Sequence, residues 1–227
     1  MHWSRRQVLA SVLGGGTLVL SGCNTGATQD DENTPSTAAS PTDSTTTDTV
    51  ETTSPDWHVR PDTEPTAVET GSCQNEEFKR MNSWVDDSVA WGDVSVDGTP
   101  VFALRVESLS HGFGDTVRIE LRNVSDETRD IGNKHKSNLS LFTEDGWREV
   151  RGFSTGTVQP ITDGAHPIEP GEPVEWVFPF SAAGIVEMSY PSHRDDLTVC
   201  PALRQGRYRF ATGATPTGVA VGFDVTE

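Results

Sequence analysis

From Gly98 onward the chain alternates apolar and polar residues in short runs. In Val117-Arg118-Ile119-Glu120-Leu121-Arg122, and again at Val219, Val221, Phe223 and Val225, an apolar side chain takes every second place. That is the spacing of a strand with one face buried. Runs of this character cover Val101 to Glu107, Thr116 to Asn123, Leu139 to Thr143, Trp147 to Val150, Val174 to Phe180, Arg207 to Ala211 and Val219 to Val225. The pairs Asp97-Gly98, Asp145-Gly146, Asp163-Gly164 and Pro170-Gly171 punctuate them as turns. About seven strands with frequent turns and no sustained helical period predict an all-β antiparallel sandwich over residues 100–227. Residues 73–99 read as an N-terminal extension, in which Asn75 to Asp93 predicts a short helix setting Phe78, Met81 and Trp84 against the core.

The pattern at the start of the chain is different. Ser4-Arg5-Arg6-Gln7-Val8-Leu9 places Arg5 and Arg6 ahead of an apolar stretch, Val8 to Leu20, that is thinned by Ser11, Gly14, Gly15, Gly16 and Thr17. A bilayer-spanning helix needs about 20 apolar residues, so this stretch is too short and reads as the apolar region of a signal peptide. A buried helix is a poor alternative, because each central glycine costs about 1 kcal/mol relative to alanine. The paired arginines resemble the twin-arginine signal that exports folded proteins, and Leu20-Ser21-Gly22-Cys23 is similar to the lipobox at which a lipoprotein is cleaved and lipidated. The resemblance implies a signal peptide over 1–22 and lipid on Cys23.

Residues 23–72 are dominated, to Asp56, by Thr and Ser with scattered Asp and Glu. Such a composition does not offset the entropy of ordering, so the segment predicts a disordered tether, less pure through Pro61, Pro65 and Gly71. Formal charge is −17; loss of Arg5 and Arg6 with the signal leaves 15 basic against 34 acidic residues. Nucleic acid is therefore an unsuitable partner, since phosphate binding needs clustered Lys and Arg. Only Lys79, Lys134 and Lys136 are lysines, against fourteen arginines. This acidic, lysine-poor balance resembles proteins of salt-loving archaea.

Three cysteines are an odd number for an exported chain. Lipidation of Cys23 would remove the oddity and leave Cys73 and Cys200 to pair in an oxidising compartment.

Signals for chemistry are few. Gly152-Phe153-Ser154-Thr155-Gly156 matches the G-x-S-x-G nucleophile elbow, but Pro160 and Asp163-Gly164 follow it where the elbow requires a helix. His58, His111, His135, His166 and His193 lack the i, i+4 spacing of a helical metal site. A type-1 copper site needs two His, a Cys and usually a Met. Cys200 is followed by Pro201-Ala202-Leu203-Arg204, with Met188 and His193 before it. Asp86-Asp87 and Asp195-Asp196 read as solvated turns, since no Asp-x-Asp-x-Asp-Gly loop accompanies them. No metal or cofactor is expected. Asn123-Val124-Ser125 and Asn138-Leu139-Ser140 are N-glycosylation sequons near strand ends.

Leu121-Arg122-Asn123-Val124-Ser125, the Asp145-Gly146 turn before Trp147, Ile168-Glu169-Pro170-Gly171-Glu172 and Leu203-x-x-Gly206-x-Tyr208-x-Phe210 together resemble the immunoglobulin-like domain of bacterial and archaeal surface lipoproteins. The resemblance implies that Tyr208 forms a tyrosine corner, its phenol bonding back to the backbone. Ser181 to Pro201 exceeds the length usual in that family. These features lead to the expectation of a non-enzymatic module on the extracellular face of the membrane, held by lipid on Cys23. It would bind a surface protein or glycan or support the envelope. A small-ligand or cupredoxin-like metal carrier and a protease-inhibitor-like module are the alternatives. At 1 M salt the screening length falls to about 3 Å, so the acidic domain should lose stability as salt is withdrawn. Thermal unfolding at low and high ionic strength checks this, and a midpoint independent of salt would contradict it.

Overall fold

The computed structural model describes residues 56–81, 83–155 and 161–227. The expected signal, Arg5, Arg6, Cys23 and the tether as far as residue 55 lie outside the described residues. The elements, in chain order, are β1 (Lys79–Arg80), β2 (Asp93–Val96), β3 (Thr99–Val106), β4 (Ser110–His111), β5 (Thr116–Asn123), β6 (Arg129–Ile131), β7 (Ser137–Thr143), β8 (Gly146–Glu149), β9 (Arg151–Phe153), β10 (His166–Ile168), β11 (Pro173–Pro179), α1 (Ala182–Glu187), a 3-10 turn (Pro191–His193), β12 (Leu197–Val199), β13 (Gly206–Thr212) and β14 (Val219–Val225). Among the described residues no helix is long and apolar enough to cross a membrane.

The fold is an all-β sandwich. One sheet has the order β11-β5-β3-β2 and the other β4-β14-β13-β7-β8. All neighbours are antiparallel except β14 and β4. All seven expected runs are strands, and β5 and β14 keep the expected limits. The turn joining β2 to β3 has Asp97 and Gly98 at φ 52° and 79°, the left-handed pair that suits a tight hairpin.

The alternating residues fill the space between the sheets. Leu104, Val106, Ile119, Leu121, Trp176 and Phe178 from one sheet meet Leu139, Phe210, Val221 and Phe223 from the other, all buried. Trp176 tilts on Phe210 at 5.1 Å between centroids, and Phe180 stands edge-on to Tyr208 at 4.8 Å. The Tyr208 hydroxyl donates to Arg204 O at 2.9 Å, the geometry of a tyrosine corner.

Two expectations upstream of β3 are corrected. Asn75 to Asp93 holds no helix in its described residues; Lys79–Arg80 instead forms β1 against β9, pairing Lys79 with Phe153. Met81 packs with Phe153 and Leu197, while Trp84 covers Gly213, so the two side chains serve different surroundings. The boundary expected at Cys73 also moves. His58 and Val106 exchange both main-chain bonds, Val59 O accepts from Gly222 N at 2.8 Å, and Val68 pairs with the end of β7. Residues 56–72 thus lie along the domain. They and residues 83–91 cover the outer face of the larger sheet, where Val85, Val89 and Trp91 pack on Ala211 and Ala220. This second layer is why β7, β13 and β14 are buried on both faces.

The long stretch before β13 contains α1, capped by the Ser181 hydroxyl accepting from Gly184 N at 3.1 Å, and β12, which joins β9 and β1 in a small sheet. Cys73 and Cys200 form the expected disulfide, with Cα atoms 5.7 Å apart and a sequence separation of 127. In the chain-entropy account, so long a loop stabilises by about 4–5 kcal/mol.

Burial raises the Tyr208 phenol from 10.0 to about 12, against the opposing bond to Arg204 O. In the unfolded chain the proton is lost near pH 10. The stabilisation from the neutral buried phenol is therefore complete below pH 10 and is lost as pH rises through about 12. Tyr208→Phe should unfold more easily than the parent at pH 8, by about 1 kcal/mol for the missing hydrogen bond. The gap should narrow between pH 10 and 12 in denaturant titrations; a constant gap would contradict the assignment.

Candidate functional site

At one end of the sandwich the chain builds an open cleft of ≈ 610 Å³. Its floor is apolar, from Ile131 of β6, Ile168 of β10 and Val174 of β11, and its rim carries His135, His166 and Tyr190. The β6–β10 ladder pairs Ile131 with His166 and fixes this wall. The opposite wall is the tight turn before β7, in which Asn133 Oδ1 accepts from His135 N at 3.0 Å and Asn133 Nδ2 donates to Thr162 O at 3.2 Å. Trp176 Nε1 anchors the same turn by donating to Lys134 O at 3.1 Å. Lys136 forms an ion pair with Asp163, while the Lys134 ammonium stands exposed at the rim.

His135 joins this turn to the segment after α1. Its Nδ1 bonds Met188 O at 3.2 Å, and its ring stands edge-on to Tyr190 at 5.5 Å. Tyr190 meets His193 at 5.5 Å, and His193 meets Phe153 at 5.6 Å. Burial pushes the His135 imidazole below its ordinary value, an effect opposed by the Met188 carbonyl and reinforced by Lys134 and Arg194. The shift favours the neutral form of the ring.

The other residues singled out by sequence have structural placements. Ser154 donates through both its N–H and its hydroxyl to Asp196 O, at 2.9 and 3.1 Å. A Cβ on Gly152 would lie 2.3 Å from the Phe78 ring, so this glycine permits β1 to lie close on β9. Gly152 and Ser154 of the G-x-S-x-G match thus serve the packing around β9. Asp86 caps its own turn through Ser88 N and Oγ, at 2.8 and 2.6 Å. His58 belongs to the main-chain bridge with Val106, and His111 packs on Phe223 at 5.2 Å. Among the described residues no three His, Cys, Asp or Glu gather into a metal-binding group. Both domain cysteines are disulfide-bonded, so neither offers the thiolate of a type-1 copper site.

The two sequon asparagines do not sit where glycosylation requires. Asn123 is 0% exposed, with Nδ2 donating to Glu127 O and Ile168 O at 2.8 and 3.0 Å. Asn138 is 2% exposed, with Nδ2 donating to Glu149 Oε2 at 2.7 Å and Oδ1 accepting from Trp84 N at 2.6 Å. The sequon is a local pattern, whereas the burial comes from Ile168, Trp84 and Glu149, distant in sequence.

Sequence reasoning missed a buried ion pair in this region. Arg151, wholly buried, donates through Nε to Glu149 Oε1 at 2.8 Å, through Nη1 to Ser189 Oγ at 2.8 Å and through Nη2 to Ser137 O at 2.6 Å. Glu149 Oε2 also accepts from Leu139 N at 2.9 Å. The pair ties β7, β8, β9 and the segment after α1 together. Nothing in Glu149-Val150-Arg151 marks these charges as buried.

No family model matches the chain, and no curated protein matches it. Solved structures with a partial likeness include a β-glucosidase from Listeria innocua in complex with laminaribiose, at 17% identity and TM-score 0.29 over 56% of this chain and 16% of that one. A β-glucosidase from Erythrobacter marinus matches at 16% identity and TM-score 0.29, over 59% of this chain and 18% of that one. The chain spans less than a fifth of either enzyme.

Because both sequon amides are spent inside the fold, mass spectrometry of the protein purified from its native cells should find Asn123 and Asn138 unmodified. Asn123→Ala should cost about 2 kcal/mol or more through unmet carbonyls. A glycan on either residue would contradict this placement.

Proposed function

We propose that this chain is an immunoglobulin-like surface module, exported by the twin-arginine route and held by lipid on Cys23 at the extracellular face of the membrane. There it binds a protein or glycan of the cell surface, or supports the envelope, without catalysis. The observation that carries the reading is the position of the cleft. His58 pairs with Val106 at the end of β3, antiparallel to it, so Asp56 lies toward the end of the sandwich where β3 and β14 finish. The cleft is built from the turn before β7 and the residues around β6 and β10, at the opposite end. A tether joined to Asp56 would attach the domain at the end away from the cleft and leave the cleft unobstructed. An apolar floor with a few polar groups at its rim is the ordinary make-up of a recognition cleft.

Two measurements test the reading. Cys23→Ser should move the protein from the membrane fraction to the medium, and retention on the membrane would overturn the anchor. A photo-crosslinker at Lys134, on the cleft rim, should capture a defined surface neighbour on intact cells, whereas one at Glu144, at the other end of β7, should not. Equal capture from both positions, or none, would overturn the cleft as the binding end.

A further inference from the structure

The cleft differs in charge from the rest of the molecule. The chain carries 34 acidic residues against 17 basic ones, yet no Asp or Glu is among the residues that line the cleft. Lys134 stands exposed at its rim and, among the described residues, has no ion pair. The carboxylates nearby each have a base of their own. Asp163, between the cleft residues Thr162 and Gly164, pairs with Lys136. Glu175 and Glu187, which share a shallower hollow with Lys134, pair with Arg118 at 3.0 Å and Arg194 at 2.7 Å. Lys134 is therefore the excess charge of this end. Its field reaches the cleft wall: burial is the main cause of the lowered His135 value, and the two charges that add to it, Lys134 and Arg194, are both positive.

The floor of Ile131, Ile168 and Val174 favours an aliphatic side chain, which leaves water at a gain when it covers them. A sugar fits this lining poorly. Its hydroxyl groups need acceptors once they leave water. The cleft offers no carboxylate, and its one side-chain amide, Asn133, is spent on His135 N and Thr162 O. The volume of ≈ 610 Å³ lies within the roughly 300–1,000 Å³ of ligand pockets and takes such a side chain together with its neighbours.

We infer that the cleft binds a protein segment in which an aliphatic side chain stands next to an acidic one, the first on the floor of Ile131, Ile168 and Val174 and the second at Lys134. This partner chemistry rests on the cleft being the recognition end of the domain. The floor supplies most of the affinity. Lys134 supplies selection, because an exposed ion pair at a rim contributes little binding but decides which sign of charge is accepted.

The test is an NMR titration of the full chain carrying Cys23→Ser, following backbone amide shifts. The probes are the capped peptide acetyl-Gly-Ser-Leu-Asp-Ser-Gly-amide, its counterparts with Leu-Lys and with Ser-Asp at the centre, and cellobiose as a sugar. The Leu-Asp peptide should shift the amides of Gly132, Gly164 and Ile168 and bind about threefold or more tighter than the Leu-Lys peptide. The Ser-Asp peptide and cellobiose should leave these amides unmoved. Lys134→Gln, at an exposed position, should abolish the preference without changing the unfolding temperature, and Lys134→Glu should reverse it. Equal affinity for the Leu-Asp and Leu-Lys peptides, a preference that persists in Lys134→Gln, or shifts from cellobiose alone would overturn the assignment. If no probe binds while a crosslinker at Lys134 captures a surface neighbour on cells, the acidic partner is overturned and the cleft remains the binding end. Absence of both would overturn both.

Discussion

Two backbone bridges hold the sandwich closed along one side, and most of the domain depends on them. At the first, His58 exchanges main-chain bonds with Val106 of β3, and its neighbour Val59 accepts from Gly222 of β14. At the second, Gly92 donates to Ala220 of β14 at 2.9 Å and accepts from Leu104 of β3 at 2.7 Å. β3 and β14 belong to different sheets, so each bridge joins the two layers. Without them the outward N–H groups of Ala220 and Gly222 would form an exposed strand edge, a feature that invites pairing with other chains. Ala90 O takes the Ala220 N–H, and Leu109 O continues the row at Asp224.

The bridges also explain the second layer on the larger sheet. Once residues 58–60 and 90–92 are fixed at β14, the chain between them must cross the outer face. There it places Trp91 within 6.1 Å of Trp147 and brings β1 against β9. The disulfide holds the far side of this layer through Cys73, and Met81 N donates to Arg151 O at 3.0 Å, while the Glu149–Arg151 pair fixes that strand to β7 and to the segment after α1 through Ser137 and Ser189. An ion pair so buried is costly to desolvate, and removing one partner typically costs 3–5 kcal/mol. Its hydrogen bonds position β8 against β7 and β9. The apolar cleft draws on neither bridge; it rests on Asn133, Trp176 and the β6–β10 ladder.

The parts of the fold legible in the sequence are those set by local alternation. β5 and β14 could be read residue by residue because each buries a regular row of Val, Ile, Leu or Phe toward the other sheet. The tyrosine corner was expected from the resemblance of Leu203 to Phe210 to an immunoglobulin-like domain, and the disulfide from the two cysteines left once Cys23 is set aside. The covering layer was not. His58 to Thr70 has the composition of a tether, yet it docks through main-chain atoms and isolated side chains such as Val59 and Val68, which carry no periodicity. Phe78, Met81 and Trp84 share a helical spacing by coincidence, because each meets a different part of the domain. The cap of α1 at Ser181 was a usable signal, but six residues are too few for a helical period to stand out. The cleft could not be foreseen, since its walls join residues separated by tens of positions.

Residues 56–81 and 83–92 form a structural layer of the domain. Native-state hydrogen exchange at Ala220 and Gly222 tests it most directly, because the acceptors of these two amides, Ala90 and Val59, belong to that layer. If the layer is integral, both amides should exchange only through global unfolding, as slowly as Phe210 and Val221 in the core. Exchange of Ala220 and Gly222 by local opening, while those core amides remain protected, would contradict the account.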